Sequence, residues 1–325
     1  MLLKRPQVSD FEVLPSPVLH TRSAPDGWLL RARDFSPVLP PRAIVVLGHA
    51  MMVDSRTLCR PDRPTLASVL VAAGFRVLVP DLRGHADSGP RAGDGGEWDC
   101  DDIVADVGEF VALAQSLEPE RPLVLVGHSL FAQASLAWLG QHPDAPVQAV
   151  VALTCDVWNR RFEPSRLIGW LKFWVIALTT LVVRVVGHLP VRLARAGSAD
   201  EAAGYWRQSW MWLRRDRWCS VDGGVDYWAG LSRIQAPVLH MLSAGDRLYA
   251  RPVSAARWTA PVRTRELMIL GREDAPGDLA GLRPKHMAAA TDPASKLAWH
   301  WIAGWIERRL IDPSPDSDSD SDGNP

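Results

Sequence analysis

The chain has 325 residues, of which 47% are hydrophobic and 22% charged, with a formal net charge of −1. That length suits one large α/β domain, or such a domain with an insertion, and the balanced charge lacks the concentrated basic surface of a nucleic-acid binder. The cysteines, Cys59, Cys100, Cys155 and Cys219, form no CxxC pair, so free buried thiols are expected and no metal site is implied.

The opening residues, MLLKRPQVSDFEVLPSP, lack the apolar core of a signal peptide, and a cytoplasmic protein is the expectation. Val18–Thr21 and Trp28–Arg33 flank an Asp26-Gly27 turn and predict a hairpin. Short runs rich in Val and Leu follow at Ala43–Leu47, Phe75–Val79, Leu123–Val126, Val147–Leu153 and Val238–Leu242. Such runs suit a parallel sheet covered on both faces. Between them, Leu66–Ala73, Asp101–Ser116 and Ala132–Leu139 have helical spacing. The alternation predicts an α/β fold with a mostly parallel, doubly wound sheet.

The rhythm breaks after Cys155. Residues 156–235 read as helices at Arg166–Val186 and Asp200–Arg215, with no clear strand, before strand rhythm resumes at IQAPVLHML. An inserted helical cap over the carboxyl edge of the sheet is expected there, on a core made of residues 1–155 and 236–312. Trp170–Gly187 is apolar enough to raise a membrane span, but Lys172 and Arg184 interrupt it, and a span needs about 20 apolar residues. A cap helix is the expectation, with contact to a membrane surface as the alternative. A terminal helix is predicted at Ala294–Leu310. Residues 313–325 are acidic and of low complexity and predict disorder.

One stretch carries chemistry. LVLVGHSLFAQASLAWLG (Leu123–Gly140) is a buried strand, a tight turn with G-x-S, and a helix. That arrangement lifts the Ser129 hydroxyl out of the sheet and leaves it at a helix N-terminus, where backbone N–H groups stabilise developing negative charge. A serine hydroxyl is a weak nucleophile and needs a base, and the base needs an orienting acid.

The chain resembles serine hydrolases of the α/β-hydrolase superfamily, most closely capped bacterial esterase-like members, up to about Asp312. VLVGHSL matches the nucleophile elbow. VPDLRGHADSGP (Val79–Pro90) is similar to the family's D-x-R-G-x-G-x-S segment, with Ala86 in place of a glycine. VVLGHAMM (Val45–Met52) is similar to its H-G-x segment, with Ala50 replacing glycine. IQAPVLHMLSAGDRLYARP (Ile234–Pro252) is similar to the strand and loop that deliver the acid.

The resemblance implies Ser129 as nucleophile, Asp246 as acid and His286 as base, in the chain order of this fold. Asp156, just after the preceding strand, is the competing acid, and His300, between Trp299 and Trp301, is the rival base with a packing role expected. The implied oxyanion donors are the backbone amides of Met51 and Leu130. His49 and His128 read as bracing residues, and Asp81, Arg83 and His85 as loop-holding ones.

Phe131 stands where the family usually has glycine. Its ring has to turn into the cap interface or shift the helix. Fifteen tryptophans are present, eight of them from Trp158 to Trp228. Trp170 with Trp174, and Trp206 with Trp210, share helix faces at i, i+4. With Phe131 they are candidates for lining the acyl site.

The implied activity is hydrolysis of a carboxylic ester or thioester with an apolar acyl group through an acyl-enzyme, with no cofactor. A serine argues against dehalogenase chemistry, which places a carboxylate there. Two alternatives stand beside it: an α/β-hydrolase fold kept as a ligand-binding or interaction module, and a membrane-surface lipase or lysophospholipase.

Overall fold

The computed structural model describes residues 14–311, so the expectations for the first residues and for residues 313–325 lie outside the described residues. The first six strands are β1 (Val18–Ser23), β2 (Leu29–Phe35), β3 (Ile44–Gly48), β4 (Arg76–Asp81), β5 (Leu123–His128) and β6 (Ala149–Leu153). Two-residue strands β7 (His188–Leu189) and β8 (Glu201–Ala202) pair with each other, and β9 (Val238–Ser243) and β10 (Arg265–Leu270) return to the main sheet. The main sheet has the order β1-β2-β4-β3-β5-β6-β9-β10. β2 runs antiparallel to both β1 and β4, and every other neighbour is parallel.

The Val and Leu runs are strands because both of their faces are covered. In β3, Ile44 and Val46 join a core with α2 (Cys100–Leu117) and α3 (Leu130–Gln141). Val45 and Leu47 join the opposite core, with α1 (Leu66–Ala72) and α9 (Lys296–Ile311). β5 alternates the same way, Leu123 and Leu125 on one side, Val124 and Val126 on the other. Capping residues fix where these helices begin. Thr65 accepts from the Ser68 amide at α1, and Asp99 accepts from the Asp101 and Asp102 amides at α2.

Residues 156–235 leave the sheet between β6 and β9. They form α4 (Arg166–Val186), α5 (Ala203–Arg215) and the single turn α6 (Tyr227–Gly230). Ser165 caps the start of α4 through the Ile168 amide, and Gly187, at φ 88°, closes its end. This insertion sits on the loops after the parallel strands. Ser198 and Ala199 donate to the Met52 carbonyl after β3, Tyr205 to the Trp98 carbonyl after β4, and Trp158 to the Tyr249 carbonyl after β9. Those loops form the carboxyl edge, where open α/β sheets bind ligands.

Three features depart from the sequence reading. The helix expected from Asp200 begins at Ala203, because Glu201 and Ala202 are drawn into strand β8. β10, in RELMIL, has no strand counterpart among the apolar runs of the sequence. It is an edge strand, buried only at its end, so it carries no continuous apolar run. The short α7 (Pro252–Trp258) is a further helix beyond those the spacing predicts. All four cysteines are buried and free.

Candidate active site

β5 ends in a sharp turn at Ser129, which adopts φ 52° and ψ −107°. A non-glycine residue at positive φ is strained, and here the Ser129 amide is held by the Leu153 carbonyl at 3.0 Å. Gly127 makes the turn possible: a Cβ there would lie 2.4 Å from the Ala132 nitrogen. Ser129 occupies the N-cap position of α3 but makes no capping bond. Its hydroxyl is instead hydrogen-bonded to His286 Nε2 at 3.1 Å.

His286 precedes the short α8 (Ala288–Thr291), on a loop packed against the one after β9. Gly245 permits that approach, since a Cβ would meet the Arg283 carbonyl oxygen at 2.2 Å, and Ser243 Oγ donates to the Pro284 carbonyl at 2.6 Å. His286 Nδ1 lies 2.7 Å from Asp246 Oδ2. Asp246 also accepts from the Tyr249 and Ala250 amides, each at 3.0 Å. Burial opposes its ionisation, but the His286 hydrogen bond and charge, with the Ala250 and Leu248 amides, hold its carboxyl below the usual range. The structure thus brings Ser129, His286 and Asp246 into one hydrogen-bonded chain.

The rival residues lie elsewhere. Asp156 has a buried carboxylate 3.4 Å from Lys172 Nζ, and burial pushes its carboxyl up to about 7. His300 sits on an exposed face of α9, so the packing expected of it is done by its neighbour Trp299. His49 accepts the Leu82 N–H at Nε2 and is bonded to the Ala50 carbonyl at Nδ1, and burial pushes its pKa down to about 4. Burial pushes His128 to about 3, and its Nε2 donates to the His286 carbonyl. Arg83 grips Asp106 and Asp26, while Asp81 holds Arg33 and the Ser55 amide. Ala86 keeps a positive φ of 39° without being glycine.

At the oxyanion position, Leu130 begins α3, so its N–H has no intrahelical acceptor. The Met51 amide donates to no acceptor among the described residues. The next amide, Met52, is taken by Glu201 Oε1 at 2.6 Å. Glu201 comes from the insertion, is fully buried, and also meets His85 Nε2 at 3.2 Å. Burial alone would depress the His85 pKa, but Glu201 raises it above its usual value. Sequence reasoning missed Glu201. It lies 149 residues from Met52, and no local pattern marks it.

Two expectations are corrected. Phe131 does not turn into the insertion. Its ring is fully buried over β3, in the space that a side chain at 48 would need: a Cβ on Gly48 would lie 1.9 Å from Phe131 Cγ. The glycine absent from the elbow is replaced by one on the facing strand, and the ring belongs to the core.

The tryptophan pairs are the second correction. Trp170 and Trp174 are 51% and 55% exposed on α4. Trp206 is buried, with Nε1 donating to Thr179 Oγ1, and Trp210 packs on Phe173. Among the described residues none of the four makes a ring or hydrogen-bond contact with Ser129, His286 or Asp246. The reason is Lys172. Two residues from each exposed indole, it points inward to Asp156 and Glu163 and turns Trp170 and Trp174 outward. The aromatic ring beside His286 is Tyr249, at 5.0 Å, with Trp158 stacked behind it at 5.9 Å.

A family model described as serine aminopeptidase, S33, matches residues 40–265. A pyrethroid hydrolase of Sphingobium wenxiniae is 36% identical over 103 residues, 31% of this chain and 33% of that protein. The match therefore spans about a third of that relative's length. Among solved structures, an esterase from Exiguobacterium antarcticum superposes with a TM-score of 0.59 at 16% identity, covering 88% of this chain and 98% of the other. A monoacylglycerol lipase from Paleococcus ferrophilus gives 0.57 at 18%, covering 86% and 99%. At these identities the likeness is one of fold.

Proposed function

The chain belongs to the serine aminopeptidase, S33, family of α/β hydrolases, and we propose that it cleaves a carboxylic ester or thioester with an apolar acyl group through a Ser129 acyl-enzyme. The observation that carries this reading is the chain from Ser129 Oγ to His286 at 3.1 Å and from His286 to Asp246 at 2.7 Å.

In this mechanism Ser129 Oγ attacks the acyl carbonyl carbon as His286 Nε2 takes its proton. Asp246 holds the Nδ1 proton, fixes the tautomer and stabilises the imidazolium. The carbonyl oxygen becomes an oxyanion, bonded by the Leu130 and Met51 amides. The tetrahedral intermediate collapses as His286 passes its proton to the leaving alcohol or thiol. Water, deprotonated by His286, then attacks the acyl-serine and releases the acid. Every step uses side chains, backbone amides and water.

The preference for an apolar acyl group rests on what surrounds the base. The Tyr249 ring lies 5.0 Å from that of His286, and Trp158 stacks on the far side of Tyr249 at 5.9 Å. Each methylene buried there gains about 0.8 kcal/mol until the space is filled.

A fluorophosphonate probe tests the nucleophile: wild type labels and Ser129→Ala does not. No labelling of the folded wild type overturns the hydrolase reading and leaves a ligand-binding module. A series of p-nitrophenyl esters tests the acyl group. kcat/KM rises from acetyl to a medium chain and then flattens, whereas a steady fall from acetyl onward removes the apolar acyl preference.

A further inference from the structure

α4 is 21 residues long, about 31 Å at 1.5 Å per residue. Its packed face is narrow: Gly169, Lys172, Ile176, Thr180 and Val183 are its buried residues. The opposite face carries Leu167, Leu171, Trp174, Leu178, Leu181 and Val185, spaced by four and three residues alternately, so that they lie in one stripe. Each of these six is between 46% and 80% exposed, and Trp170 borders them at 51%. An apolar stripe spanning five turns on a water-facing helix marks a contact surface.

Charge identifies what the stripe meets. Residues 156–217 hold eleven Lys and Arg against five Asp and Glu, whereas the whole chain has 36 against 37. All ten arginines of this segment are exposed, while the side chains of Asp156, Glu163, Asp200 and Glu201 are buried. Arg166 and Arg184 stand eighteen residues apart, on one flank of the stripe. Arg160 lies over the Phe173 ring of the same helix, and the exposed Arg192 and Arg195 follow beyond the helix end. Among the described residues Arg166, Arg184, Arg192 and Arg195 form no ion pair. Pairing α4 with that of a second copy would bring two such basic rims together, and like charges repel. An anionic lipid surface satisfies both the apolar stripe and its rim.

We propose that α4 docks this protein, lying flat, on a lipid surface bearing anionic headgroups. The helix lies on the bilayer and does not cross it, because Lys172 is tied on its inner face to Asp156 and Glu163, at 3.4 and 3.3 Å. The stripe and Trp174 enter the headgroup–acyl boundary, and the arginines meet lipid phosphates. Asp156 follows Cys155, whose thiol donates to the Ser129 carbonyl at 3.2 Å, so the docked helix is joined to the candidate site through two adjacent residues. The docking itself does not depend on catalysis.

Flotation of the full chain with vesicles tests this. Vesicles of 70% phosphatidylcholine and 30% phosphatidylglycerol carry the protein upward, with a blue shift of its tryptophan emission. Pure phosphatidylcholine, or 0.5 M salt, lowers bound protein about tenfold. Leu178→Gln with Leu181→Gln, and separately Arg166→Glu with Arg184→Glu, each lower binding about tenfold or more. Both double variants keep wild-type circular dichroism and wild-type turnover of a soluble short-chain ester. Ser129→Ala floats like wild type, which separates failure of docking from failure of the hydrolase reading. Absence of flotation with anionic vesicles overturns the proposal, as does equal flotation with neutral ones. A dimer that Leu178→Gln with Leu181→Gln dissociates, in a protein that binds no vesicle, assigns the stripe to a second copy instead.

Discussion

α3 and α4 are both apolar helices of the same chain, and their surroundings are opposite. Leu130 to Gly140 of α3 are all buried, enclosed by the sheet, α2 and the turn at α6, where the Gly140 and Gly230 backbones approach too closely for a side chain. α4 buries five of its 21 residues, and the polar Lys172 is among them. Apolar content therefore does not fix which face of a helix is inward. In α3 neighbours cover every side. In α4 a buried lysine between two carboxylates sets the rotation and leaves the leucines in water. A cation cannot be withdrawn from water unless it is paired, and an unpaired carboxylate pays the same penalty, so the three groups hold one another.

The largest expected effect is at the head of α3. His286→Ala lowers kcat by about 10⁶, as loss of a triad base does, and Asp246→Asn by about 10⁴ through the wrong tautomer. His300→Ala and Asp156→Asn fall far short of these in steady-state turnover. A loss from Asp156→Asn that matches or exceeds that from Asp246→Asn would move the acid to the earlier strand.

Truncation separates the two helices by stability. Phe131→Ala empties a fully buried ring site and costs about 3–5 kcal/mol, whereas Leu178→Ala on the exposed stripe stays within about 0.5 kcal/mol. Urea midpoints at unchanged m decide this, and equal losses would erase the contrast.

Gly48→Ala tests the exchange of glycine between elbow and strand. Its methyl collides with the Phe131 ring, and overpacking of this kind costs about 1–3 kcal/mol. Phe131→Leu in the same chain recovers part of that loss. A double variant no more stable than the additive sum means that the two positions do not share one space.

The smallest effect is a pH slope from the buried cluster of Asp156, Lys172 and Glu163, with Arg251 paired to Glu163. Burial pushes the Asp156 carboxyl up to about 7. A carboxyl raised in the folded state favours folding below its unfolded pKa of about 4, and that contribution is lost as pH rises toward 7. Stability therefore falls as pH rises across this window. Asp156→Asn flattens the profile, and an unchanged profile would assign the slope to another group.

The sequence by itself determined most of the parallel sheet, its long helices and the strand–turn–helix that carries Ser129. Strands buried on both faces must be runs of Val and Leu, and a strand–G-x-S–helix turn has few other uses. Asp246 and His286 were expected through the family resemblance, Asp246 after the run Val238–Leu242 and His286 on the loop ahead of the terminal helix. The tertiary structure alone decided the rest. Phe131 fits because Gly48, 83 positions earlier, leaves room for it, and Glu201 reaches the Met52 amide across 149 residues. Lys172 turns Trp170 and Trp174 outward because Asp156 and Glu163 wait on its inner side. Each of these outcomes depends on partners distant in sequence, whereas periodicity and motif spacing report only on near neighbours along the chain.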